Sequence, residues 1–133
     1  MFLGGDVVSD QKVIVYKHIL ELADTTLEGL EHIQARTMEG YFEDTANLYT
    51  DVADSMCHMQ AALAAALPDY EESDLNKESD KVVESMQLVL AAYEGDKEVR
   101  PMEVMQFAML PAYRRWHNQL QEELLEQCAP KMH

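Results

Sequence analysis

The sequence is short of positive charge and of long apolar runs, and each shortage excludes a class of partner. Ten Lys and Arg stand against 25 Asp and Glu, which gives a net charge of −15. Binding to phosphate backbones depends on Lys and Arg that displace counterions, so we expect neither nucleic acid nor an anionic membrane as a partner. The longest apolar run is the seven residues from Ala61 to Leu67, whereas a membrane span needs roughly 18 to 20. We therefore expect a soluble, cytoplasmic protein.

Cysteine is scarce as well. Cys57 and Cys128 lack the spacing of a metal site, and one such pair is expected to remain as two reduced thiols. Apolar residues make up 47% of the 133 residues and charged residues 26%, which is ordinary for a globular domain and unlike a disordered chain. We expect a loose arm over residues 1–8 and one domain over residues 9–133 that folds without a metal or a disulfide.

Apolar residues recur every three or four positions in four segments, which is the spacing of one face of an α-helix. Gly40, Pro68 and Gly95 separate these segments, and glycine and proline commonly end helices. The four stripes are Val13, Tyr16, Leu20, Ala23, Leu27 and Leu30; Phe42, Tyr49, Val52, Met56, Met59, Leu63 and Ala66; Leu75, Val82, Met86, Val89 and Tyr93, widened by Val83 and Leu90; and Met105, Met109, Ala112, Trp116, Leu120 and Leu124. The sequence predicts an all-α, antiparallel up-and-down four-helix bundle.

Two features interrupt this pattern. Residues 69–74 place four acids in six positions between the second and third stripes, so we expect them to form the main loop and the most mobile stretch. Pro111 stands inside the fourth stripe. Proline removes one backbone hydrogen bond and clashes with the carbonyl four residues earlier, so we predict that the fourth helix is kinked or split near Leu110.

Carboxylates in a helical bundle raise the question of a metal site. Di-iron bundles use Glu-x-x-His motifs, and none of the five histidines has a Glu three residues before it. The pair Glu28-x-x-Glu31 and Asp51-x-x-Asp54 resembles the acidic motifs of all-α nucleotide pyrophosphohydrolases, in which facing carboxylates hold Mg²⁺. The helical phase turns all four carboxylates outward, where they do not converge on one ion. We therefore expect no catalytic residue, metal or cofactor, and keep the Mg²⁺-dependent enzyme as an alternative.

The end of the chain has a different charge from the rest. Residues 1–98 carry 21 acids and six bases, whereas residues 99–133 carry four of each. This last part contains Tyr113-Arg114-Arg115-Trp116-His117 and three methionines at helical spacing. Trp and Arg often anchor interfaces, and methionine adapts to partners of different shape. The predicted partner-binding residues are Met102, Met105, Met109, Arg115, Trp116 and His117.

Each of these features also has a plainer interpretation. Trp116 and the methionines can fill the bundle core, and Arg115 can pair with a carboxylate of a neighbouring acidic helix. In size and charge the chain resembles small acidic bacterial helical proteins and export or flagellar chaperones, a likeness that carries no residue across. We expect a non-enzymatic interaction module, of a chaperone or adaptor kind, that binds an amphipathic or basic partner helix, or itself, through helix 4. A purely structural homodimer is the second alternative.

Overall fold

The computed structural model describes residues 10–40, 42–95 and 100–128, without the side chains of residues 10 and 42–44. Its helices are α1 (Asp10–Met38), α2 (Phe42–Ala66), α3 (Asp74–Tyr93) and a C-terminal helix in three parts: α4 (Pro101–Val104), a π-helical turn (Met105–Met109) and α5 (Leu110–Cys128). This confirms the predicted all-α bundle. The predicted arm, residues 1–8, lies outside the described residues. Within them, no helix is long and apolar enough to cross a membrane.

The helix ends follow from residues with special backbone preferences. Gly40 and Gly95 have φ angles of 94° and 114°, a left-handed conformation that glycine adopts without steric cost. They end α1 and α3 at the positions that the sequence indicates. The side chain of Ser73 accepts a hydrogen bond from the Asn76 backbone N–H at 3.0 Å, which caps the start of α3.

The predicted loop at residues 69–74 is more structured than its acidic composition suggests. It contains a 3₁₀ turn, Tyr70–Glu72. Tyr70 is buried, and its hydroxyl lies 2.8 Å from the hydroxyl of Ser79 on α3. A buried aromatic ring with a partnered hydroxyl fixes the turn against the bundle, so the loop is anchored at its centre.

The helices are antiparallel, and each packs against two neighbours in the order α1, α2, α3, C-terminal helix. The Tyr16 hydroxyl at the start of α1 donates to the Ala66 carbonyl at the end of α2, at 3.2 Å. The hydroxyls of Thr45 and Tyr93 lie 2.8 Å apart and join the start of α2 to the end of α3. Of the four neighbouring pairs, α2 and α3 are the least closely packed.

The core contains most of the predicted stripes, but the stripe on α1 needs a correction. Tyr16, Ala23 and Leu30 are buried as predicted, whereas Val13, Leu20 and Leu27 are only half-buried. The remaining buried positions of α1 are Ile19, Thr26, Ile33 and Thr37. The buried positions still number two per heptad, but the face is turned so that Ile19, Thr26 and Ile33 replace Val13, Leu20 and Leu27. This orientation lets α1 pack against both α2 and α5.

The irregularity at Pro111 takes the form of a π-helical turn. The Leu110 backbone N–H donates to the Met105 carbonyl, five residues earlier. Pro111 has no N–H to offer the Phe107 carbonyl, and the wider turn relieves the clash between that carbonyl and the proline ring. The helix continues on both sides of the turn, while Phe107 is left 74% exposed.

Gly29 gives a first test of the packing between α1 and α2. A Cβ atom there would lie 3.4 Å from Cγ2 of Val52, which is an ordinary van der Waals contact. Alanine loses less backbone entropy than glycine when a helix forms. We expect Gly29→Ala to raise the free energy of unfolding by about 0.5–1 kcal/mol, measured by urea denaturation. A decrease would mean that α1 and α2 lie closer together than described.

Buried tyrosines predict how stability depends on alkaline pH. Burial raises the pKa of both Tyr49 and Tyr113, and smaller electrostatic effects of Tyr93 and Asp24 act in the same direction. The unfolded chain therefore releases these protons first, near pH 10. We expect stability to be unaffected by these groups below pH 10 and to fall above it. In urea melts between pH 8 and 11, Tyr113→Phe should reduce the slope; an unchanged slope would contradict this.

Candidate functional site

An open apolar groove lies between α2 and α3, where the bundle is least tightly closed. Its volume is about 230 Å³. Apart from Asp54, Thr50 and Gln87, its walls are mainly apolar side chains from the middle of α2 and the second half of α3. The lining residues are Tyr49, Thr50, Ala53, Asp54, Met56, Cys57, Val83, Met86, Gln87 and Leu90. We call this feature the α2/α3 groove.

The floor and the rim of the α2/α3 groove differ in chemistry. Met56 and Met86 belong to the core and form the floor. Tyr49 is buried beside them because its hydroxyl donates to the Met86 carbonyl and its ring lies 5.8 Å from the ring of Tyr93. Leu90, on the rim, is 45% exposed. The groove therefore offers adaptable thioethers below and unburied apolar surface above.

A second groove, of about 210 Å³, lies on the other side of α2, against α1. Gly29 and Val52 are among its lining residues, and Asp51 and His32 line it as well. The exposed face of α2 is thus a ridge with Asp54 on one side and Asp51 on the other. Both grooves expose mainly apolar surface, but five of the ten residues that line the α1/α2 groove are polar, against three of the ten that line the α2/α3 groove.

The six predicted partner-binding residues differ in how deeply they are buried. Met105, Met109 and Trp116 are fully buried, and Met102 is half-buried. These three buried side chains have no surface to offer a partner, and they fill the core as in the plainer interpretation. Of the large apolar side chains in the C-terminal helix, Phe107 and Leu125 are exposed instead. The predicted binding face of helix 4 therefore exposes little of these three side chains, and its role in partner binding stays a prediction.

The two remaining predicted residues contact carboxylates of neighbouring helices. Arg115 Nε lies 3.8 Å from Glu78 Oε2 on α3, which is the carboxylate pairing considered for it. His117 is 9% exposed, and its Nε2 lies 2.7 Å from Asp24 Oδ1 on α1. Together with the Tyr113 hydroxyl, which donates to the Ala23 carbonyl at 2.8 Å, His117 ties α5 to α1.

The acidic residues of the alternative enzyme do not form a site. Glu31 pairs with Arg114 at 3.1 Å. Glu28, Asp51 and Asp54 are exposed, and the two aspartates lie in different grooves. Among the described residues, no three His, Cys, Asp or Glu side chains come together as they would to hold a metal ion. The outward phase inferred for these carboxylates agrees with their exposure.

Sequence reasoning missed the α2/α3 groove although it named most of its apolar residues. The apolar periodicity predicts that Val83 and Leu90 widen the α3 stripe and that Met56 and Met86 lie in the core. The signal lay in Leu90: it follows Val89, which is fully buried, yet is itself 45% exposed. Two adjacent apolar residues on a helix cannot both face the core centre, so one of them faces a seam.

Three variants distinguish core packing from surface pairing on α5. We expect Trp116→Ala to lower the free energy of unfolding by about 3–5 kcal/mol, because it leaves a cavity in the core. Trp116→Phe should cost less, since it keeps one ring and gives up an Nε1 that has no hydrogen-bond partner among the described residues. Arg115→Ala should change stability by less than about 1 kcal/mol, as for exposed ion pairs. This assignment is contradicted if urea melts show that Arg115→Ala lowers the free energy of unfolding as much as Trp116→Ala does.

Comparison with known proteins gives a family for the chain. No curated protein and no solved structure matches it. A family model described as Domain of unknown function (DUF8042) matches residues 14–119. The match begins within α1 and ends within α5, so it includes residues of all four helices and both sides of the α2/α3 groove. The chain therefore belongs to the DUF8042 family.

Proposed function

We propose that this protein is a non-enzymatic interaction module that binds an amphipathic helix of a partner protein in the α2/α3 groove. The observation that carries the proposal is the groove itself: an open, mainly apolar depression of about 230 Å³ with Leu90 exposed on its rim. Grooves of this kind receive the apolar face of a helix in many recognition complexes.

The length of the groove sets the size of the segment that fits it. On α2 it extends from Tyr49 to Cys57, and on α3 from Val83 to Leu90. The end residues of these two stretches are eight and seven helical steps apart, or about 10–12 Å, which corresponds to two turns of a partner helix. A partner would therefore present two or three apolar side chains, spaced by three, four or seven residues. So small a contact favours a weak, reversible complex.

The groove is better suited to this role than the outer face of the C-terminal helix. Met105, Met109 and Trp116 are committed to the core. The exposed Phe107 and Leu125 lie in different parts of the C-terminal helix, 18 positions apart. In contrast, Ala53, Val83 and Leu90 belong to one depression. A contiguous apolar surface is the usual mark of a binding site, whereas scattered apolar residues are common on every protein.

Two leucines on α3 provide a matched test. Leu90 lines the α2/α3 groove, whereas Leu88 is 58% exposed and does not line it. The probes are three designed helical peptides of about 14 residues, or four turns, with one leucine face and a polar face made entirely of Lys, Gln or Glu. We expect at least one peptide to bind the wild-type protein, measured by calorimetry. Leu90→Gln should weaken that binding at least fivefold, and Leu88→Gln by less than twofold.

The control is stability, since both leucines are partly exposed and both variants should unfold at nearly the same urea concentration as the wild type. Binding of none of the three peptides would contradict the proposed function. Equal affinities of Leu90→Gln and Leu88→Gln would contradict the location of the site.

A further inference from the structure

We infer that the helix received by the α2/α3 groove is basic, with Lys or Arg flanking its apolar face; this inference rests on the proposed function. It rests on two features that lie side by side: the apolar groove, and α2, a long helix that contains no Lys or Arg. Residues of α2, Phe42–Ala66, include four acids and no base. None of the residues that line the groove is a base either.

The first observation is the position of the acidic groups. Asp54 lines the groove and is exposed, so a cation on a bound helix can approach it from solvent. Asp51 stands one turn earlier on the same ridge, in the neighbouring groove. On the α3 side, Glu84 is exposed but does not line the groove. The lining therefore presents the carboxylate of Asp54 and no positive charge.

The second observation is where the lysines of α3 lie. Lys81 Nζ is 3.6 Å from Glu78 Oε1, and the same carboxylate is 3.8 Å from Arg115 on α5. Glu78 thus draws Lys81 towards the C-terminal helix and away from α2. Lys77 pairs with Asp74 at 3.8 Å, near the start of α3, whereas the groove begins at Val83. The side of α3 that faces α2 therefore carries Gln87 and apolar side chains.

The net charge of the chain extends this preference beyond contact distance. At −15 the protein attracts a basic segment and repels an acidic one before either reaches the groove. The attraction decays over about 8–10 Å at physiological salt. Charge alone would attract any polycation, whereas the groove adds a requirement for an apolar face. Amphipathic and scrambled peptides of the same composition therefore distinguish the two effects.

The test uses the three peptides described above and a fourth, in which the residues of the Leu/Lys peptide are scrambled so that no apolar face forms. Affinities for the full chain are measured by calorimetry at low and at physiological salt. We expect the Leu/Lys peptide to bind at least tenfold more tightly than the Leu/Glu peptide, with the Leu/Gln peptide between them. The scrambled peptide should bind at least fivefold more weakly than the Leu/Lys peptide.

Two aspartates give the matched variants for the charge. Asp54→Asn should weaken binding of the Leu/Lys peptide about threefold at low salt, because an exposed pair contributes little more than this. Asp51→Asn removes the same charge from the other side of α2 and should have a smaller effect. Both substitutions should leave the affinity for the Leu/Gln peptide unchanged, since that peptide carries no cation.

The outcomes separate this inference from the function on which it rests. If the Leu/Gln or Leu/Glu peptide binds as tightly as the Leu/Lys peptide and Leu90→Gln weakens it, the groove receives helices but the basic partner is wrong. If the scrambled peptide binds as tightly as the Leu/Lys peptide, the acidic surface attracts charge without using the groove, and the inference fails. If no amphipathic peptide binds, the proposed function itself fails.

Discussion

The structure depends on which face each helix turns towards the centre of the bundle. Burial of the apolar side chains determines that orientation. Once Tyr16, Leu30, Met56, Val82 and Trp116 face the centre, the carboxylates between them have to point outward. The acidic surface, the lack of a carboxylate cluster among the described residues and the separation of Asp51 from Asp54 all follow from that orientation. Two of these carboxylates, Asp51 and Asp54, line the two grooves on either side of α2.

The seams of the bundle are closed to different degrees. The seam between α1 and α5 carries the Tyr113 hydroxyl bond to the Ala23 carbonyl, the contact of His117 with Asp24 and the pair of Arg114 with Glu31. The seam between α2 and α3 is held at one end by Thr45, Tyr49 and Tyr93, and beyond them it opens into the α2/α3 groove. A bundle that is joined by hydrogen bonds along one side and open along the opposite side can receive a helix without moving its core helices apart.

Much of the fold could be predicted from the sequence, because apolar periodicity, two glycines and two prolines suffice to place four helices. The prediction was least accurate where neighbours decide burial. Thr26 and Thr37 are buried on α1 although they are polar, and Leu20 is half-buried although it is apolar. Periodicity does not show which edge of an apolar face turns towards the core, since that depends on which helices pack against it. The form of the irregularity before Pro111, a π-helical turn, likewise depends on which residues the turn can bury.

The proposed site is harder to predict than the fold for the same reason. Methionine spacing is the same on a helix that lines the core and on one that lines a groove, so it does not distinguish Met105 and Met109 from Met56 and Met86. The distinction lies in the gap between α2 and α3, which depends on how the four helices pack together. Methionine is therefore a useful reporter of the proposed binding site. With methyl-labelled methionine, titration with the Leu/Lys peptide should shift the NMR signals of Met56 and Met86 and leave those of Met105 and Met109 in place. Shifts confined to Met105 and Met109 would contradict the account and return the site to the C-terminal helix.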